Sequence, residues 1–209
     1  MISAPVLCAL CALASAPGVR DDDGVYGRLD ADWTLVVGAG GSIAAGRDRR
    51  FLSTELRARY LESAGVVLSY DEADAFSKNS APGTFRRGFL AGVEIRPLFP
   101  ARFLQGIELN RRFVDLVLDS VGFELGAYFS AVRGADVQSP GLSLGFGIEV
   151  PLAGSVTGPW LRFATAVRWP STVLENDDRS ARMTLFTLGL AGHQALELHT
   201  EDAGDRHVR

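Results

Sequence analysis

The residues with most chemical potential are arginines and carboxylates recurring at alternating positions: Arg28, Asp30, Asp32, Glu55, Arg57, Arg59, Glu94, Arg96, Glu124, Glu149, Arg162 and Arg168. Two carboxylates such as Glu94 and Glu124 would suit acid–base catalysis if their environments pushed their pKa values apart. Arginines interleaved with them make paired structural charges the simpler reading, and no catalytic residue is assigned. His193, His199 and His207 are the only histidines. Their spacing supplies no three- or four-ligand zinc site, so neither a metal nor a cofactor is expected. A lipid hydrolase would need a serine beside His193, with Ser171 or Ser180 as candidates, but no nucleophile motif surrounds either. Leu35-Val36-Val37-Gly38-Ala39-Gly40-Gly41 resembles a strand entering a phosphate-binding glycine turn. The third glycine of G-x-G-x-x-G falls on Ile43, and no βαβ pattern follows.

The elements that must hold these residues are strands. Apolar and polar residues alternate with a period of two in seven runs. These begin at Arg28, Leu52, Gly88, Val121, Leu142, Leu161 and Met183. Leu52 to Tyr70 reads as a single run whose apolar parity is broken at Glu62, and the spacing of Leu52, Leu56 and Tyr60 also admits a helix. In the run from Gly88 the alternation extends to Phe99. Tight links are expected at Gly46–Arg50 and Ala153–Ser155, and longer polar loops at 71–83 and 170–181. One segment departs from this pattern. Leu109, Phe113, Leu116 and Val117 fall at helical spacing and predict one short amphipathic helix near 108–120, capping a barrel end or serving as a partner or membrane-surface element.

Composition narrows the class. The chain has 209 residues, with 21 basic against 25 acidic side chains, which leaves no basic surplus for a nucleic-acid partner. Apart from Met1–Ala16, no apolar stretch approaches the roughly 20 residues of a spanning helix. Met1–Ala16 reads as a signal peptide ending in Ala14-Ser15-Ala16, although no basic residue precedes its apolar run and Pro17 follows directly. The alternative is a short buried N-terminal helix. Residues 17–25 read as a polar leader, 26–198 as the β-domain and 199–209 as a polar tail. Cys8 and Cys11 fall in the leading segment, so cleavage would leave a cysteine-free protein. Leu7 and Leu10 before them are too large for a lipid-anchor signal.

The same alternation serves a soluble barrel, apolar inside, or an outer-membrane barrel, apolar outside. The polar parity carries both charge signs together with Gly88, Gly92, Gly122, Gly126, Gly145 and Gly147. Glycine weakens a solvated face but makes room in a crowded lumen. Phe99, Phe129, Trp160 and Trp169 stand near strand ends, where aromatic girdles would lie. Together the apolar leader, the cysteine-free body, the glycine and charge on one parity and the tight turns resemble the small outer-membrane β-barrel class. Arg57-Ala58-Arg59-Tyr60-Leu61 and Asp115-Leu116-Val117-Leu118-Asp119-Ser120 resemble signatures of a bacterial barrel family without an assigned activity.

That resemblance implies an all-β, single antiparallel up-and-down barrel of about eight strands, embedded in outer-membrane lipid. Leu35, Phe89, Leu125, Phe146 and Phe163 would face lipid, and the twelve charged residues would fill an occluded lumen. An even strand count is expected of the class, so an eighth strand is sought in 24–33 or 194–200. The class commonly ends in an aromatic residue, whereas this chain ends in Arg209. The alternatives are an exported soluble barrel holding an apolar ligand, and an outer-membrane lipid hydrolase. A structural or interaction role is expected, and the sequence does not identify a protein partner.

Overall fold

A computed structural model describes residues 26, 28, 31–45, 49–73, 85–107, 109, 111–132, 139–171, 173 and 182–196. The signal peptide, the leader, Asp30, Ser180, His199, His207 and the tail lie outside the described residues. Eight antiparallel strands follow in chain order: β1 Trp33–Ala44, β2 Arg50–Tyr60, β3 Ala64–Glu72, β4 Phe85–Ile95, β5 Gly122–Val132, β6 Gly141–Pro151, β7 Gly158–Trp169 and β8 Met183–Leu196. Each pairs with its sequence neighbour, and β8 closes the barrel on β1. The shortest has 9 residues and the longest 14, so each reaches the roughly 9–11 residues of a tilted membrane-crossing strand.

The eighth strand is not at either terminus of the domain. It comes from the run at 52–70, which the three-residue turn Leu61-Glu62-Ser63 divides into β2 and β3, with Tyr60 opposite Ala64. A step of four from Tyr60 to Ala64 preserves parity, so the two strands read as one. The parity break at Glu62 marks the turn itself, where Leu61 and Glu62 adopt φ of 46° and 52°. The Leu61 amide donates to the Asp32 carbonyl at 2.9 Å, tying this turn to the chain entering β1. The strand expected from Arg28 begins only at Trp33, and Arg28, Ala31 and Asp32 precede it outside the ladder.

Two helices, not one, join β4 to β5: α1 Leu98–Gln105 and α2 Arg112–Asp119. The strand expected to run on to Phe99 ends at Ile95. Pro97 takes the N-cap position and Gly106, at φ 62°, the left-handed C-cap. Proline at the start and glycine past the end delimit a helix. This connection shares one barrel end with the turns at 61–63 and 152–157, the entry to β1 and the exit of β8. The other four connections lie at the opposite end, called here the loop end.

Apolar residues do fill part of the interior, at its ends. Ala44, Phe51, Phe85, Tyr128, Met183 and Leu185 form a buried cluster at the loop end. Leu116, Val156 and Trp160, with Tyr26 against them, close the termini end. Near its start β8 is therefore apolar on both faces, with Met183 and Leu185 inward and Phe186 and Leu188 outward.

Candidate functional site

Between the two apolar layers the inward parity carries charge. β2 contributes Glu55, Arg57 and Arg59, β4 Glu94, β5 Glu124, β6 Glu149, β7 Arg162 and β8 His193. Arg96 and Glu62 enter from the termini end. Arg57 and Arg59 are 2% and 1% exposed, Glu94 1% and Glu149 0%. Charges removed from water to this degree require partners, and the sheet supplies them. Arg57 lies 2.7 Å from Glu55, 3.1 Å from Glu94 and 2.9 Å from Glu124. Arg59 lies 2.8 Å from Glu94 and 3.0 Å from Glu149. Glu149 also meets Arg162 at 2.7 Å, Arg96, and His193 Nε2 at 3.2 Å. Arg162 contacts Glu55 at 3.2 Å and also Glu124.

The candidates named from sequence divide by place. Eight of them, Glu55, Arg57, Arg59, Glu94, Arg96, Glu124, Glu149 and Arg162, form this connected group. Arg168 stands apart at the loop end, paired with Asp71 and 4.6 Å over the Tyr128 ring. Arg28 stands at the termini end, paired with Asp119 and 5.1 Å over the Phe99 ring. Asp32 does not join any of these groups. It is exposed in the bend before β1, because the strand starts at Trp33. Leu35, Phe89, Leu125, Phe146 and Phe163 lie on the opposite, outward parity, and Phe89, Leu125, Phe146 and Phe163 are exposed.

Glu62, Asp71, Asp115, Asp119 and His193 were not recognised as lumen or end-cap residues. Parity was the available signal for two of them. Asp71 continues the inward series of Val67 and Ser69, and His193 that of Met183 and Leu185. Two supposed girdle residues are internal: Trp160 stacks on His193 at 4.6 Å, and Phe99 is buried beneath Arg28. Outward aromatics at the termini end include Trp33 and Tyr60, 5.4 Å apart, and Phe123, whereas Phe89 and Phe129, 6.4 Å apart, lie toward the loop end.

Glycine supports the site in two distinct ways. At Gly38, Gly122, Gly145 and Gly147 an added Cβ would meet the side chains of Glu55, Glu94, Glu124 and Arg162, respectively. At the facing pairs Gly40–Gly189 and Gly92–Gly126 it would meet backbone of the neighbouring strand instead, 2.4 Å from the Leu188 carbonyl oxygen in the case of Gly40. The first set makes room for charges, and the second lets strands approach where the small barrel curves. Gly38, Gly40 and Gly41 thus belong to a barrel strand and form no phosphate-binding turn.

The termini end has its own ionic cap. Arg102 of α1 reaches Asp119 at 2.7 Å and also Asp115, and Tyr26 donates to Asp115 at 3.1 Å. Burial alone would raise the Asp115 carboxyl. Hydrogen bonds from Arg102, the Leu109 amide and Tyr26 outweigh it and hold the group below the usual aspartate range. Burial lowers the Arg28 guanidinium from its ordinary value, against the opposing pull of Asp119. Cavities of about 10 Å³ remain beside Glu55 and Arg162 and beside Arg28 and Asp119, each room for about one water.

A serine–histidine pair from Ser171 is not assembled. Ser171 follows the loop end of β7, whereas His193 pairs with Gly158 at the other end of that strand.

No protein-family model matches the chain, and no curated protein matches it in sequence. Among solved structures it is similar to the N-terminal β-barrel domain of Pseudomonas aeruginosa OprF, with a TM-score of 0.47 and 9% identity over 77% of this chain and 96% of that one. A de novo designed transmembrane β-barrel gives a TM-score of 0.44 at 9% identity, covering 77% and 94%. Ail, the attachment invasion locus protein of Yersinia pestis, gives 0.38 at 11% identity, covering 77% and 95%.

Proposed function

We propose that this chain is an exported, non-enzymatic outer-membrane β-barrel with a closed, charged lumen and a structural or interaction role. The observation that carries the reading is the inversion of its two faces. Leu, Val and Phe side chains cover the outside of the strands, with Val66 at 55%, Leu144 at 49% and Phe186 at 50% exposure, while the central arginines, Glu94 and Glu149 are buried. A continuous apolar outer surface would associate nonspecifically in water, whereas lipid is its natural solvent. The interior favours closure, because an eight-stranded barrel is filled by its own side chains. Here those side chains are an ion-pair network between two apolar layers, and the cavities described beside it have room for about one water each. Fractionation of cells expressing the full chain tests this. The protein is expected in the outer-membrane fraction, released only by detergent, and silent in planar-bilayer recordings. Recovery in a soluble fraction without detergent would overturn the membrane assignment, and steady unitary conductance would overturn the closed lumen.

A further inference from the structure

The connection between β4 and β5 is inverted in the same sense as the barrel wall. An amphipathic helix on a water-facing barrel end should bury its apolar stripe and expose its carboxylates. In α2 the carboxylates turn inward beside Leu116, Asp115 at 1% exposure and Asp119 buried, while Phe113 is 51% exposed and Val114 is exposed with it. In α1, Phe99 turns inward and Arg102 reaches Asp115 and Asp119, leaving Leu104 82% exposed. The inward face of the hairpin thus combines ion pairs with Phe99 and Leu116, and Phe103, Leu104, Ile107, Leu109, Phe113 and Val114 form an outward apolar face.

This face is continuous with the barrel's own. Ile95 and Phe123 are cross-strand partners, both half exposed, at the ends of β4 and β5 where the hairpin leaves and returns. Only Arg96 and Pro97 separate Ile95 from α1. We infer that the α1–α2 hairpin is a membrane-interface anchor whose apolar face enters the acyl-chain boundary of the leaflet at the termini end. The inference rests on the membrane reading above and names a further lipid-contacting element outside the strands. Lipid fits better than a protein groove because the exposed set spans both helices and their linker and joins the lipid-facing wall without a polar break at Ile95 and Phe123. Amphipathic helices lying in the interface plane bury their apolar face in this way.

Site-directed spin labelling of the full chain in phosphatidylcholine–phosphatidylglycerol vesicles tests the assignment. Leu104→Cys, Phe113→Cys, Leu144→Cys and Asp32→Cys are each made in a Cys8→Ala, Cys11→Ala background. Labels at 104 and 113 are expected to collide with oxygen more than with a water-soluble nickel chelate, as the label at 144 on β6 does. The label at 32 should show the opposite preference. Water-like behaviour at 104 and 113 with lipid-like behaviour at 144 overturns the anchor and leaves the membrane barrel standing. Water-like behaviour at 144 overturns the membrane reading itself. Shielding at 104 that disappears as protein is diluted in lipid would assign the face to a second copy and also overturn the anchor.

Discussion

Glu149 meets three arginines and a histidine from four different strands or connections. Its value to the fold lies less in attraction than in what its removal would leave behind. Replacing a buried ion-pair network wholesale with apolar residues is often neutral, but deleting one partner strands the others without solvent. Glu149→Ala should therefore lose about 3–5 kcal/mol, read from reversible denaturant unfolding in vesicles. A loss below about 1 kcal/mol would mean that water or a mobile counter-ion screens the lumen. Most of this network was legible because side-chain parity in a strand is strict. Once Arg57 is inward, Glu55 and Arg59 must be. Parity says nothing about where a strand starts, so Asp32 was placed in the lumen although it precedes β1. It also cannot say which inward positions will be apolar: Phe51, Tyr128 and Trp160 lie on the charged parity yet belong to the end layers.

Among the elements, the glycines of the strands occupy two kinds of position. Gly92 faces Gly126 so closely that a Cβ would stand 2.4 Å from the Leu125 carbonyl oxygen, while outward Gly41 has nothing within 4 Å. Gly92→Ala should cost about 1–3 kcal/mol through forced backbone shifts, against a change within about 0.5 kcal/mol for Gly41→Ala, by the same unfolding measurement. Equal effects would show that these glycines do not mark close strand approach. The helical connection carries a pH expectation. Because the Asp115 carboxyl is held below its ordinary value, its contribution to stability is complete above the unfolded pKa and disappears as pH falls through the lowered folded value. Acidification below about pH 4, the usual aspartate value, should increase amide exchange in Arg112–Asp119 before it does so in the strands. Simultaneous loss would contradict a separately held cap. Only part of this connection was legible. The spacing of Phe113, Leu116 and Val117 reveals α2, but α1 follows an alternating run, with Pro97 at its N-cap and Pro100 in its first turn, and the alternation reads on through Phe99. The missing eighth strand has a similar cause, since the turn at 61–63 keeps the parity of β2 in β3.

For the molecule as a whole, averages conceal the arrangement that matters. A chain that is 47% hydrophobic and 22% charged has the composition of an ordinary water-soluble domain, and no described helix is long and apolar enough to cross a membrane. The closed barrel sorts these residues into an ionic interior with apolar ends and an apolar exterior, and the α1–α2 hairpin repeats that sorting. Which solvent the outer wall meets therefore decides the arrangement, and one substitution reads it directly. Phe146 is the middle residue of β6, Gly141–Pro151, on its outward face. In water, replacing an exposed phenylalanine with arginine is close to neutral, whereas in the bilayer midplane it is costly. The unfolding free energy of Phe146→Arg in lipid vesicles should fall by about 2–4 kcal/mol relative to the parent chain. An unchanged value would contradict a lipid-facing wall.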